Sequence, residues 1–486
     1  MNKPLRRVAV FCGLLVLALL IRVNYVQFVD AGALANDVHN RRVTINQYAT
    51  PRGDIIVDGK AITGHTTTTG SDFKYKATFT NGPMWAPVTG YASQAFGSNM
   101  LEGVDNKILT GDDDRLFFNR TIDIVTGKGK QGGDVVTTLN AKAQQAAFDG
   151  LGNKKGAVAA IDPKTGAILA LASTPSYDPS SFAGNSTTDS KNWVSLQKAN
   201  NANDPMLNRA LRQTYPPGST FKIVTAAAAL ENGLYTDIDA KTNSPVPFIL
   251  PNTTTELKNE GGINCQNATL REALRVSCNT VFGKIGSDLG RDKMVAEAEK
   301  FGFNKEQYIP VRTAASNFST TMDKPQTALS SIGQFETAAT PLQMAMIASA
   351  VANDGKLMKP YMVSELRASN NSVIAQTNPE QLSQPLSAAN AQKLQQMMET
   401  VVQTGTGKNA QINGVTVGGK TGTAQHGINN DASPYAWFIS YAKTSSGSPV
   451  AVAVVVEDAS ANRGDITGGG FAAPIAKKVM EAVLNK

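Results

Sequence analysis

The chain begins with an apolar block and then settles into short alternating and helical patterns. Residues Val8 to Ile21 are apolar without interruption, a run of 14 behind Lys3, Arg6 and Arg7. That length is short for a membrane span and typical of a signal-peptide core. Val23, Tyr25, Val26, Phe28 and Val29 extend the helix to about 22 residues, roughly 33 Å, with Arg22 snorkelling or facing protein. The triplet Ala33-Leu34-Ala35 offers a cleavage site, but lies too far beyond the apolar core for a signal peptidase. An uncleaved anchor is therefore the leading expectation and a cleaved signal the alternative. Basic residues ahead of the span place the N-terminus in the cytoplasm and the bulk of the chain outside.

From residue 30 to 140 the pattern is β-rich: Ile55-Ile56-Val57, the run Tyr75 to Phe79, the turn Asp58-Gly59, and Asp112-Asp113-Asp114 in a loop. The Gly/Lys stretch 127–133 reads as a flexible connection, followed by a strand from Asp134 to Leu139 and a helix from Ala141 to Leu151. Val158 to Ile161 and Ala167 to Ala172 form apolar strands joined by the turn Asp162-Pro163-Lys164-Thr165-Gly166. A helical middle follows: Phe221 to Leu230, Leu270 to Leu289, Leu342 to Ala352 and Ala388 to Val402. Strands return at Gly414 to Val417, Ala436 to Ala442 and Val450 to Glu457, before a last helix from Ala473 to Leu484. Strands at both ends with helices between them predict an α+β fold whose antiparallel sheet is closed by distant segments. The expected division is an anchor over residues 1–29, an N-terminal β-rich module over 30–140 and a large domain over 141–486. No internal repeat or low-complexity tract is visible.

Composition narrows the chemistry. At 486 residues and 41% hydrophobic content, the chain has ample material for a large core. Lys plus Arg exceed Asp plus Glu by 7, a diffuse excess that suits an anionic surface such as lipid or cell wall and does not indicate nucleic acid. With three histidines (His39, His65, His426) and three cysteines (Cys12, Cys265, Cys278), neither a metal centre nor a His-based triad is expected. His426 is the one histidine with any claim on the cleft. Cys265 and Cys278 lie in the exported part, where disulfides persist. They form either a bridge, closing a short loop at about 3 kcal/mol of stabilisation, or two reduced buried thiols.

A serine can be activated without histidine when a lysine three residues later on the same helix face takes its proton. The pattern S-x-x-K recurs along the chain. Ser195…Lys198 falls in a polar stretch, and Ser440…Lys443 on a strand puts its two ends on opposite faces. Only Ser219…Lys222 has the right setting: Tyr215-Pro216-Pro217-Gly218 makes a rigid turn and Phe221, Ile223 and Val224 open an apolar helix. Ser219 then sits where free backbone N–H groups favour an oxyanion, and burial lowers the pKa of Lys222 towards that of a base. Alone, that motif is more often an N-cap serine and a surface lysine. S-x-N adds Ser277-Cys278-Asn279 within the 270–289 helical region, whereas its copies at Ser369 and Ser460 fall in polar loops. K-T-G occurs as Lys164-Thr165-Gly166, which fills a hairpin turn, and as Lys420-Thr421-Gly422-Thr423 after the strand Gly414 to Val417. Glycines there let an extended peptide approach, and Lys420 with the threonine hydroxyls suits a carboxylate.

Ser219, Ser277 and Lys420 in this order resemble the signature of penicillin-binding proteins and serine β-lactamases. Ile332-Gly333-Gln334, Thr340-Pro341-Leu342-Gln343, Ala352-Asn353-Asp354-Gly355 with Lys359-Pro360, Ala436 to Ala442, and Pro51-Arg52-Gly53-Asp54-Ile55 narrow the resemblance to class B penicillin-binding proteins, and to their actinobacterial PbpA-type branch. It covers about residues 50–480. The box after Arg52 departs from the usual D-R-N-G, running Val57-Asp58-Gly59-Lys60.

The resemblance implies a transpeptidase/β-lactamase-like domain, an antiparallel sheet flanked by helices with a helical subdomain, on a dimerisation- or pedestal-like N-terminal module. It implies a cell-wall D,D-transpeptidase in which Ser219 is acylated by a D-Ala-D-Ala stem peptide, Lys222 is the base, and Ser277 relays the proton with Lys420 nearby. Asn279 would hold the substrate amide, Thr421, Gly422 and Thr423 the carboxylate end, and the N–H groups of Ser219 and Thr423 the oxyanion. β-Lactams would inhibit as donor mimics, no cofactor is implied, and the partner would be a polytopic membrane glycosyltransferase of the shape or division type. The alternatives are a D,D-carboxypeptidase or serine β-lactamase, or a non-catalytic penicillin-sensing protein. Arg463-Gly464-Asp465 is expected to be a plain loop.

Overall fold

The computed structural model describes residues 3–485 other than 36, 38, 39, 70, 128, 199, 200, 428, 429 and 458–465, and the backbone alone of residues 119, 123 and 124. His39, Lys128, Arg463-Gly464-Asp465 and the S-x-N copy at Ser460 lie outside the described residues.

A single helix, Lys3–Phe28, carries the N-terminal apolar block, with a mean hydropathy of 2.2 over its most apolar window and none of that window buried. By length and composition it can cross a membrane. Arg22 lies over the Tyr25 ring at 5.3 Å, which occupies the one charge within the apolar stretch.

The large domain is built on a five-stranded antiparallel sheet in the order Thr416–Ala424, Tyr435–Thr444, Gly447–Glu457, Lys155–Ile161, Ile168–Thr174. Lys155–Ile161 lies against Gly447–Glu457, the last strand of the chain, with Ala453 opposite Ala159, and Ile168–Thr174 follows it at the edge, which is the closure by distant segments expected from the pattern. Side chains alternate between two cores. Val158, Ala160, Val452 and Val454 pack with the helices Ala141–Leu151 and Ala473–Leu484. Ala157, Ala159, Ala453 and Val455 pack on the other face with the helical middle, led by Pro341–Ala352. Both faces are covered, so these strands read as continuous apolar runs.

A second five-stranded sheet runs Val373–Gln376, Val363–Arg367, Asp134–Thr137, Ile55–Val57, Lys60–Ala61. Its centre is N-terminal, but two of its strands come from more than 200 residues further on. The stretch 127–133 does not behave as a loose linker where it is described. Gly132 donates to Pro51 O at 3.0 Å and Gly133 to Ile108 O at 2.9 Å. A side chain on Gly132 would collide with Leu109 O at 2.0 Å.

Candidate active site

The turn that carries Ser219 is short and tightly held. Gly218–Phe221 is a 3-10 turn leading into the helix Lys222–Glu231, whose described residues are buried up to Leu230. Tyr215 exchanges backbone hydrogen bonds with Ala339, and Gly218 N–H donates to Gly333 O at 3.0 Å. Gly333 has φ +76, and a Cβ there would meet Gly218 O at 2.0 Å. Only glycine allows that approach. From the other side, the Trp437 indole N–H donates to Pro216 O at 3.0 Å.

The K-T-G tetrad is not beyond a strand but within one. Thr416–Ala424 pairs with Tyr435–Thr444 along its whole length, Lys420 opposite Ile439 and Gly422 opposite Trp437. It is the sheet's edge strand, so its outer side is unpaired. A side chain at Gly422 would approach Pro217 O at 2.9 Å and Thr220 Cγ2 at 3.0 Å, and its absence brings the strand against the Ser219 turn.

Ser277 is likewise not inside a continuous helix. The 270–289 region is two helices, Leu270–Arg275 and Asn279–Leu289, and Ser277 sits in the break with φ +65. Left-handed backbone at a β-substituted residue is uncommon and concentrates at functional positions. The break is pinned by a disulfide between Cys265 and Cys278, with Cα atoms 6.2 Å apart. Asn259 Oδ1 also accepts from the backbone N–H groups of Asn279 (2.7 Å) and Thr280 (3.0 Å). Asn259 thus caps the second helix from a remote loop, a role no local pattern announces.

The three elements meet on one hydroxyl. Lys222 Nζ donates to Ser277 O at 2.8 Å, to Ser277 Oγ at 3.2 Å and to Asn279 Oδ1 at 2.8 Å. Lys420 Nζ donates to Ser277 Oγ at 3.0 Å and to Thr421 O at 2.8 Å. Both lysines are completely buried, and every one of these acceptors is neutral. Burial, with the neighbouring Lys420 charge added, holds the Lys222 ammonium well below the usual lysine range. Burial lowers Lys420 to about 7, opposed by Glu260.

A cleft of about 310 Å³ opens on this cluster, lined by Ser219, Asn279, Thr423 and Gln425, with an apolar wall of Leu257, Leu329, Ile332 and Phe335. Phe335 stands at the lip, 43% exposed, with φ +58. Thr423 faces the cleft, whereas the Thr421 hydroxyl pairs with that of Thr406 at 2.6 Å. Sequence reasoning missed Asn259, Glu260, Phe335 and Thr406. Only Phe335 carried a signal, since it directly follows Gly333-Gln334.

The competing motifs fall elsewhere. Ser195 donates to Asn192 O on an exposed helix. Ser440 is buried while Lys443 bonds Gln395. Thr165 of the other K-T-G bonds Asp162 within its turn. His426 stacks on Tyr435 at 3.9 Å and faces a separate cavity of about 1170 Å³ with Lys154, Lys155 and Glu457. That cavity is larger, but Ser219 does not line it.

Residues 156–481 match the penicillin binding protein transpeptidase domain, and residues 52–135 the penicillin binding protein A dimerisation domain. The chain belongs to the class B penicillin-binding proteins, in their PbpA-type branch. It is 39% identical to the peptidoglycan D,D-transpeptidase PbpA of Mycolicibacterium smegmatis over all of both chains. Identity to the PbpA of Mycobacterium tuberculosis is also 39%, over 100% of this chain and 99% of that one. The penicillin G acyl-enzyme structure of M. tuberculosis penicillin-binding protein A superposes with a TM-score of 0.83 at 38% identity, covering 90% of this chain and all of the other. The carboxypeptidase, β-lactamase and penicillin-sensor alternatives gain no support from these relatives.

Proposed function

We propose a division of labour for a peptidoglycan D,D-transpeptidase that β-lactams acylate and inhibit. One observation carries it: two buried lysines, from distant segments, converge on the Ser277 hydroxyl, and among the described residues no carboxylate forms an ion pair with either. Such a site stores a base where the fold gains nothing from it.

A D-Ala-D-Ala stem peptide lies extended along the edge strand, its terminal carboxylate at Lys420, Thr421, Gly422 and Thr423 and its amide at Asn279. Ser219 Oγ attacks the carbonyl of the penultimate D-Ala as its proton passes to Lys222. The oxyanion is held by the N–H groups of Ser219 and Thr423. The C–N bond breaks as a proton reaches the leaving D-Ala amine through Ser277, Lys222 returning to its neutral form. An amine of a neighbouring stem peptide then takes the acyl group, which makes the cross-link. The Cys265–Cys278 bridge fixes the Ser277 loop.

The helix Lys3–Phe28 serves as a single-pass anchor with the catalytic domain outside the cytoplasm, and a polytopic glycosyltransferase of the shape or division type is the partner in the membrane. The boundary between module and catalytic domain falls near residue 140, with the 363–376 hairpin counted in the module's sheet.

Labelling with fluorescent penicillin tests the core of this reading. Wild type acquires a long-lived adduct on Ser219 and Ser219→Ala acquires none; a labelled Ser219→Ala removes Ser219 from the mechanism, and rapid turnover of the adduct replaces transpeptidase with lactamase.

A further inference from the structure

Glu260 is the one formally charged side chain lining the Ser219 cleft among the described residues. It opens the turn Glu260–Gly262, is exposed, and has no cation within ion-pair distance among the described residues; nearby Lys258 pairs with Glu256 instead, at 3.0 Å. The chain on either side of Glu260 is nevertheless fastened. Asn259, immediately before it, caps the Asn279–Leu289 helix and donates to Ile263 O at 3.0 Å. Cys265, five residues after it, is bonded to Cys278. Glu260 thus lies between two fastenings and lines the cleft together with Asn279, whose amide oxygen accepts from the buried Lys222 at 2.8 Å. Its charge reaches both Lys222 and Lys420, favouring their protonated forms.

Acyl transfer has a difficulty at this point. When D-Ala leaves, it removes the carboxylate that balanced Lys420. The acceptor amine of the next peptide then arrives as an ammonium, at a site already carrying positive charge. Water meets no such barrier.

We propose that the Glu260 carboxylate is the acceptor-selecting group of this enzyme, drawing the protonated amine of the incoming peptide to the acyl-enzyme in preference to water. The inference rests on the acyl-transfer reading above. The bound ammonium releases one proton to solvent and its nitrogen attacks the acyl carbon. A second proton passes by Lys222 to Ser219 Oγ as the C–O bond breaks, and the third remains on the new amide.

The test uses the full-length protein in detergent, acylated by a small D-alanyl thioester at pH 7. The acyl-enzyme is partitioned between water and either glycinamide, an ammonium at that pH, or hydroxylamine, an uncharged nucleophile. Loss of Glu260 also favours the neutral lysines, which by itself lowers the repulsion of glycinamide and would raise its ratio, so a fall in that ratio does not come through them. Glu260→Gln lowers the glycinamide-to-water ratio about two- to fivefold, the range of an exposed ion pair, and leaves the hydroxylamine-to-water ratio unchanged. Glu260→Asp restores part of the loss, and added salt lowers the wild-type glycinamide ratio towards that of the variant. Unchanged ratios, or a parallel fall in both, overturn the inference. Penicillin labelling of the same samples keeps the two readings apart: no adduct on wild type sinks the acyl transfer, whereas normal adducts with unchanged ratios sink only the role of Glu260.

Discussion

Buried cations occur in both halves of this molecule and are handled in opposite ways. In the N-terminal module, Arg52 is 7% exposed and is fully matched. Its Nε donates to Glu102 Oε2 at 2.7 Å, its Nη1 to Asn106 Oδ1 at 2.7 Å and its Nη2 to Glu102 O at 2.9 Å. In the cleft, Lys222 and Lys420 are buried as deeply and meet only carbonyl, amide and hydroxyl oxygens. A matched pair holds its charge and fixes geometry; an unmatched lysine gives up its proton and becomes a reagent. Arginine suits the first task because its guanidinium stays protonated, and lysine the second because its ammonium yields. The module thus spends its buried charge on shape, and the cleft spends its own on reactivity.

The contrast breaks most sharply at Lys222. Lys222→Met preserves the volume and removes the base, so acylation by penicillin falls about 10²- to 10⁴-fold. Thermal unfolding of the same variant shows no loss of stability, because a desolvated amine has been exchanged for an apolar chain. A variant that unfolds early would show that Lys222 is structural, and would erase the distinction.

The reverse is expected in the module. Glu102→Gln leaves the Arg52 guanidinium buried without its counter-charge and costs about 3–5 kcal/mol of stability, read by urea unfolding, while Ser219 in the folded fraction still labels at the wild-type rate. A drop in labelling rate as large as the drop in stability would mean that the two clusters are coupled.

How much of this was legible in the sequence follows from the range of the forces involved. Local patterns gave the helices Ala141–Leu151 and Ala473–Leu484 with their observed ends, because an amphipathic helix beside a sheet writes its own period. They placed Ser219 and Lys222 together because a turn and one helix suffice. They failed where partners are remote. Gly418 to Thr423 holds few strand formers, and only the facing strand Tyr435–Thr444 makes it extend. The helical pattern at 270–289 concealed the break at Ser277, which is fastened through Cys278 and Asn259 to a loop outside that pattern. Val363–Arg367 joins the N-terminal sheet through Val135 and Thr137, and no property of either segment names the other.

Lys420 sharpens the comparison through pH. Its folded-state value lies at about 7, below the ordinary 10.5. Between those values the unfolded chain binds a proton that the native state does not, so this group makes stability rise with pH across that window, and below about 7 the native state carries the full cost of the buried charge. Reactivity runs the other way. The second-order acylation constant falls as pH rises through about 7, since the free enzyme loses the cation that meets the donor carboxylate. At saturating donor the limb moves to higher pH, because a bound carboxylate stabilises the charged form. Lys420→Met removes the stability slope contributed by this group. A constant acylation rate from pH 6 to 9 would deny Lys420 its charge-bearing role.

The smallest effect is expected at Thr406, which touches neither lysine. Its hydroxyl meets that of Thr421 at 2.6 Å, and of the two protons in such a pair one serves the contact and the other is left to donate elsewhere. Thr406→Val keeps the shape and removes one of the two, so the Thr421 hydroxyl loses the partner that orients it towards a donor carboxylate. A neutral hydrogen bond of this kind is worth about 0.5–1.5 kcal/mol, so the KM for a carboxylate-bearing donor rises by roughly two- to tenfold with little change in kcat, and the same donor as a methyl ester, which has no anion to recognise, is affected less. Equal effects on acid and ester would place Thr406 in the packing of the edge strand and leave the carboxylate to Lys420 and Thr423 alone.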